Sequence, residues 1–109
     1  MTDEQTNPSA EPEQPAGEQQ QMPEMRAEDA LLYSIGIFAD LAWIYLGIRA
    51  NPANGETKAD YAQARLAIDA ANALVLLTEG RLPAHHVRDL HNLVSSLQLN
   101  YVQRYQPGS

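Results

Sequence analysis

Apolar residues recur every three or four positions along most of the chain after residue 26, a spacing typical of amphipathic helices. Two breaks divide the pattern, so the sequence predicts three helices, at about 28–49, 60–79 and 83–105. No segment of useful length alternates apolar and polar residues, and we therefore expect no strands. The predicted fold class is all-α, a small three-helix domain over residues 27–106 built as helical hairpins.

The two breaks carry residues that end helices. The first, NPANGE at residues 51–56, places a proline and an Asn-Gly pair where the chain must turn. The second, TEGRLP at residues 78–83, offers a glycine to end one helix and a proline to begin the next. Between the breaks, the spacing of Asp60 and Gln63 predicts a capping box at the start of the second helix.

The second and third predicted helices differ in how their apolar residues are distributed. The third is apolar on one face, formed by Val87, Leu90, Val94, Leu97 and Tyr101. The second has two opposite apolar faces, one of Tyr61, Ala64, Ile68, Ala71 and Val75, and another of Leu66, Ala70, Ala73 and Leu77. Because an apolar face gains stability only when it is covered, we expect the second helix to need two packing partners.

The first predicted helix is apolar over most of its circumference, with Asp40 in one narrow polar stripe. Residues 30–48 are just long enough to cross a bilayer, since they rise about 28 Å. A carboxylate near the midplane costs roughly 3 kcal/mol, so a helix buried in a water-soluble domain is favoured over a membrane span. Because the apolar arc is wide, we expect the helix to contact another subunit as well. The candidate oligomer interface is Leu31, Ile35, Phe38, Ala42, Trp43 and Leu46.

The first 26 residues differ in composition from the rest. They are rich in Glu, Gln and Pro, and their six acidic residues and one Arg give −5 of the net charge of −7. A stretch this poor in large apolar side chains cannot bury enough surface to offset its ordering entropy, so we expect a disordered acidic tail. It lacks the basic start and apolar core of a signal peptide. We expect it to keep the domain soluble or to recruit a protein partner.

Composition also limits the function of the remaining residues. From Ala27 onward the chain has eight acidic and six basic residues, so we expect no basic face for nucleic-acid phosphates. The sequence has no Cys, which excludes disulfides and thiolate metal sites. A domain of about 80 residues builds only a small core. We therefore expect a homodimer or higher homo-oligomer to supply further buried surface.

Several short motifs follow one another along the predicted helices and turns: Leu46-Gly47, Pro52 to Glu56, Asp60, Ala64-Arg65, Ile68-Asp69, Thr78 to Leu82 and Tyr101-Val102. Their order and spacing resemble the bacterial family called domain of unknown function 1844, over about residues 38–105. The chain departs from that family at residues 83–86, Pro-Ala-His-His, where the family tends to be polar or acidic. The resemblance implies a small bacterial cytoplasmic helical protein and implies no activity.

Three histidines at the start of the third predicted helix suggest a metal site. His85, His86 and His91 do not pair at the i,i+3 or i,i+4 spacing of ligands on one helix. Asp89 has that spacing from His85 and from His86, but it completes at best a two-ligand site. We therefore expect exposed or helix-capping histidines and no metal, with a site shared across a subunit boundary as the alternative.

Asp40 is the one carboxylate placed within an apolar helix. We expect it to be exposed along the polar stripe, or to hydrogen-bond Tyr33 or another chain, because no nucleophile or partner base lies near it in sequence. No residue is assigned a catalytic or cofactor-binding role. The sequence favours a non-enzymatic helical oligomerisation or protein-interaction module. Two alternatives stay open: a membrane-associated protein using residues 30–48, and a small-ligand binder with a site between subunits.

Overall fold

The computed structural model describes residues 24–105, and within this range it contains three helices and no strand. The helices are α1 (Ala27–Tyr45), α2 (Tyr61–Leu77) and α3 (Ala84–Arg104). The predicted all-α, three-helix fold is therefore confirmed. Residues 1–23 of the predicted disordered tail lie outside the described range.

Helix α2 organises the core. It packs along α1 on one side and against α3 on another, whereas α1 and α3 contact each other less. One buried cluster comprises Ala39, Ala42, Leu46, Ala64, Ala67, Ile68 and Leu97. A second comprises Ile35, Ala71, Val75 and Val94. Because so many of these side chains are alanines, the backbones of α1 and α2 approach closely, and the core is small.

Helix α1 ends at Tyr45 and does not reach the predicted boundary near residue 49. Gly47 adopts a φ of +81°, a left-handed conformation that stops a helix and that glycine adopts without steric penalty. The Gly47 amide donates to the Ile44 carbonyl at 3.0 Å, and the Ile48 amide donates to the Trp43 carbonyl at 3.1 Å. These bonds satisfy carbonyls at the end of α1 and turn the chain away from the helix axis.

The connection from residue 46 to residue 60 is closed at its base. The Asp60 amide donates to the Tyr45 carbonyl at 2.8 Å, so the start of α2 is fastened to the end of α1. A Cβ added at Gly47 would lie 3.3 Å from the Ala59 Cβ, which shows how closely the two ends approach. The Asp60 carboxylate accepts from the Gln63 amide at 3.2 Å, which forms the Asp60 half of the predicted capping box.

The connection between α2 and α3 is short and tightly bonded. Thr78 is fully buried, and its hydroxyl donates to the Val75 carbonyl at 2.6 Å. Gly80 follows with a φ of +77°, as expected for the residue that ends a helix. Pro83 precedes α3 directly, where its missing amide costs no helical hydrogen bond.

Candidate interaction surface

The two apolar faces of α2 have different environments in the structure. The inner face, formed by Ala64, Ile68, Ala71 and Val75, is buried against the other two helices. The outer face, formed by Leu66, Ala70, Ala73 and Leu77, lies on the opposite side of the helix and is mostly exposed. Leu66 is 62% exposed and Leu77 is 53% exposed. Within residues 24–105, α1 and α3 both pack on the inner side of α2 and leave more than half of each outer leucine exposed, so the outer face has no full cover from the described chain.

The outer face has large side chains at its two ends and small ones at its centre. Two leucines stand at its ends, separated by about 16 Å along the helix axis. Between them lie Ala70 and Ala73, whose short side chains leave the α2 backbone accessible. A second helix can therefore approach closely at the centre of the face while its own large side chains pack near the two leucines.

A hollow borders the outer face at the C-terminal end of α2. It has a volume of about 360 Å³ and lies between the start of α1 and the end of α2. Its walls include Ala27, Leu31 and Ser34 from α1, together with Leu77 and Arg81. The lining is mostly apolar and includes one acidic residue, Glu28, and one basic residue, Arg81, so the hollow is suited to receive an aliphatic side chain.

Charged groups flank the outer face on the side of α3. Arg65 lies 3.4 Å from the Asp69 carboxylate, so the two side chains form an ion pair across one helical turn. The Arg65 guanidinium also lies 5.9 Å from the centre of the Tyr101 ring. Near the other end of α2, the Glu79 carboxylate lies 2.7 Å from His91 Nε2. This flank therefore carries the Arg65–Asp69 ion pair near Leu66, and Glu79 with its partner His91 near Leu77.

An aromatic cluster closes the end of the molecule where α2 begins and α3 ends. The rings of Tyr101 and Tyr105 are stacked with centres 5.3 Å apart, and Tyr61 meets both edge-on. Aromatic rings in these geometries stabilise a fold by more than the burial of their apolar surface alone. Beside the cluster, a second hollow of about 330 Å³ is lined by Arg65, Ile68, Asp69, Gln98, Tyr101 and Val102.

The six residues predicted as an oligomer interface fall into two groups. Ile35, Ala42 and Leu46 are buried in the chain's own core. Leu31, Phe38 and Trp43 are partly buried and pack against the same core. Contact of these residues with another subunit stays a prediction.

Asp40 lies at the solvent-facing side of α1. Its side chain is 65% exposed, and its carboxylate accepts a hydrogen bond from Arg49 at 3.0 Å. The expected exposure along the polar stripe is confirmed. Sequence reasoning missed Arg49 as the partner because Arg49 was placed at the end of a continuous helix, whereas the turn at Gly47 brings it back beside α1.

The three histidines do not form one cluster, because His85 and His86 lie side by side whereas His91 contacts Glu79. The rings of His85 and His86 are stacked with centres 6.4 Å apart, and His91 faces Glu79 on the preceding connection. Within residues 24–105, no group of three or more His, Cys, Asp or Glu side chains is placed to hold a metal ion. Sequence spacing on one helix could not show the contact with Glu79, because the intervening turn decides which residues meet.

The apolar run at residues 30–48 does not form one continuous helix. Its last three residues belong to the turn that follows Tyr45. In the described part of the chain, no helix has both the length and the apolar character needed to span a bilayer.

Comparison with known proteins identifies the family of the chain. The model of the domain of unknown function DUF1844 matches residues 34–103, which span most of α1 and all of α2 and nearly all of α3. No curated protein and no solved structure matches the chain. Because the family match covers well over half of the sequence and contains both faces of α2, the chain belongs to the DUF1844 family.

Proposed function

We propose that this protein is a non-enzymatic helical interaction module that self-associates through the outer face of α2. One observation carries the proposal: α2 is apolar on two opposite faces, and the described chain buries only one of them. The fold uses the inner face to build its core. The outer face then serves association.

The exposure of the outer leucines supports this function energetically. Burying a leucine side chain stabilises a complex by roughly 1.5–3 kcal/mol. Leu66 and Leu77 stand on one helix face with only small residues between them, so a single partner helix covers both. Contiguous exposed apolar surface of this kind is typical of binding sites.

The proposal includes the setting of the protein. It acts in the bacterial cytoplasm as a homodimer or higher homo-oligomer. The acidic segment at residues 1–26 keeps the assembly soluble or recruits a further protein partner, because its charge of −5 suits a basic surface. The module is non-enzymatic because no sequence motif joins a nucleophile to a base.

Light scattering on the full-length chain tests self-association. At micromolar concentration we expect the mass of a dimer or a larger assembly. Replacing Leu66 by Asp places a charge in the contact and should return the mass toward that of the monomer. The matched control is Leu99→Asp, because Leu99 on α3 is 57% exposed and lies off the outer face. Wild-type protein that stays monomeric at every concentration would contradict the proposal.

A further inference from the structure

We propose that the outer face of α2 binds the same face of a second copy, with the two helices antiparallel about a two-fold axis between Ala70 and Ala73. In this arrangement Leu66 faces Leu77 of the second copy, and Ala70 faces its Ala73. The inference rests on the proposed self-association and adds the orientation and register of the contact.

The order of residues along the outer face supports a two-fold contact. A symmetric dimer needs a surface that is complementary to itself. The sequence from Leu66 to Leu77 reads as leucine, alanine, alanine, leucine at spacings of four, three and four, so it is the same in both directions. Two copies laid antiparallel therefore place leucine beside leucine at both ends and alanine beside alanine at the centre, where the backbones approach closely.

The charges on the flank select the antiparallel orientation. Two antiparallel helices related by a two-fold axis place the same flank of each copy face to face. Arg65, near one end of α2, then lies level with Glu79 of the second copy, and the contact occurs twice. A parallel two-fold pair would place the two Arg65 side chains at the same level but on opposite sides of the interface, so neither would reach Glu79 of the other copy and this attraction would be lost. Both side chains are more than half exposed, and each would exchange a contact within its own chain, with Asp69 or with His91, for one across the dimer.

The hollow beside Leu77 fits the same register. Leu66 of the second copy comes opposite Leu77, and Leu77 forms part of the wall of the 360 Å³ hollow. Leu31 and Ala27 line the opposite wall, so the incoming leucine packs against α1 as well as α2. The symmetry repeats this contact at the other end of the dimer and widens the buried area beyond a single helix pair.

The composition of the N-terminal segment makes it a poor occupant of the same face. Residues 1–23 contain five acidic and no basic residues, and their only large apolar side chains are Met1 and Met22. An apolar face ending in two leucines gains little from such a segment. A second copy offers a matching apolar face. Because the contact is confined to one face of a single helix and the adjoining hollow, and a standard interface buries roughly 800 Å² per partner, we expect a reversible, concentration-dependent dimer.

Disulfide cross-linking of the full-length chain tests the orientation. The natural sequence has no Cys, so Leu66→Cys and Leu77→Cys each create a single reactive site. In an antiparallel dimer of either variant alone, the two introduced thiols are about 16 Å apart, beyond the roughly 4–7 Å between Cα atoms that a disulfide spans. We therefore expect at least about tenfold more cross-linked dimer in an equal mixture of the two variants than in either variant alone.

Each outcome of this experiment decides one point. Strong cross-linking of either variant with itself indicates a parallel pair and overturns the proposal. A mixture that does not cross-link, although light scattering shows a dimer, means that another surface pairs. That result overturns the proposal and leaves the proposed self-association intact. A wild-type monomer at all concentrations overturns both.

Charge reversal gives an independent test of the register. Arg65→Glu places two acidic groups against each other in the dimer, so the dissociation constant should rise about three- to tenfold. Adding Glu79→Arg restores opposite charges and should return the constant to within about twofold of the wild type. If the dimer of the double variant dissociates as readily as the two single substitutions together predict, the antiparallel register is overturned. Unchanged unfolding curves at low concentration control for damage to the fold.

Discussion

The inner and outer faces of α2 are alike in composition and opposite in burial. Each combines alanines with two larger aliphatic residues at helical spacing. Ile68 and Val75 on the inner face are almost completely buried, whereas Leu66 and Leu77 on the outer face are more than half exposed. Apolar periodicity therefore identifies a face that needs a partner, and the connections between helices decide whether that partner belongs to the same chain.

The connection from α1 to α2 determines which face of α2 packs against α1. The bond between the Asp60 amide and the Tyr45 carbonyl fixes where α2 begins relative to α1. Once its start is fixed, helical geometry determines which side chains point toward α1. The turn at Gly47 is thus as important to the inner face as the residues on that face.

The largest expected effect comes from placing the same charge on each face. Ile68→Asp buries an unpaired carboxylate in the core and should lower the free energy of unfolding by about 3–5 kcal/mol or prevent folding. Leu66→Asp, two residues earlier, should change it by less than about 1 kcal/mol in dilute protein, because its side chain remains in water. Urea titration followed by circular dichroism measures both.

Equal losses from the two substitutions would show that both faces are buried in the isolated chain. Ala73→Ser on the outer face is a mild control, since it keeps a small side chain and should alter stability by no more than about 0.5 kcal/mol.

A smaller effect is expected at the turn that selects the inner face. Gly47→Ala forces a side chain into a left-handed backbone conformation and places its Cβ 3.3 Å from that of Ala59. We expect a loss of about 1–3 kcal/mol in the free energy of unfolding. The matched control is Gly55→Ala, where φ is +72° but nothing lies within 4 Å of the added Cβ. The difference between the two variants isolates the contribution of the close approach from that of the backbone.

A substitution on the solvent-facing side of α1 should raise the free energy of unfolding. Gly36 is exposed within the helix, and a Cβ added there meets nothing within 4 Å. Gly36→Ala should therefore raise the free energy of unfolding by about 0.5–1 kcal/mol through helix propensity alone. A loss of stability in thermal unfolding would reveal a packed neighbour at this position and contradict its assignment to the exposed side.

A small effect on stability is expected at the exposed ion pair between Asp40 and Arg49, which lies beside the turn at Gly47. Asp40→Asn removes the charge that faces Arg49, and an exposed pair contributes only about 0–1 kcal/mol. We expect only a small shift in the midpoint of urea unfolding, and we expect that shift to shrink further in high salt. Arg49→Gln should behave in the same way, whereas a large loss from either change would indicate that the pair holds the turn in place.

Much of the fold follows from the sequence, because helices and their faces are set by local spacing. The three helices, the cap at Asp60 and the second apolar face of α2 are all visible in the pattern. The end of the first helix is not visible in the pattern, because Leu46 has the right spacing to continue the helix. Only the left-handed backbone at Gly47 ends it. Leu46 itself is buried in the core of the chain, and its contact with another subunit stays a prediction.

The candidate surface could be recognised only in part. The outer face of α2 is evident from its periodicity. The hollow beside it is not, because it depends on where the start of α1 lies against the end of α2. The contact between Glu79 and His91 likewise depends on the path of the turn between two helices. Such features come from tertiary geometry, which short-range spacing does not determine.

Trp43 gives the molecule an optical reporter of its own. It is the single tryptophan of the chain, and it packs against the buried cluster that includes Ala64 and Ile68 on the inner face. Its emission should shift to longer wavelength when the hairpin of α1 and α2 opens and water reaches the indole. The proposed pairing through the outer face would not touch this cluster. Fluorescence and light scattering on one unlabelled sample therefore follow folding and association as two separate signals.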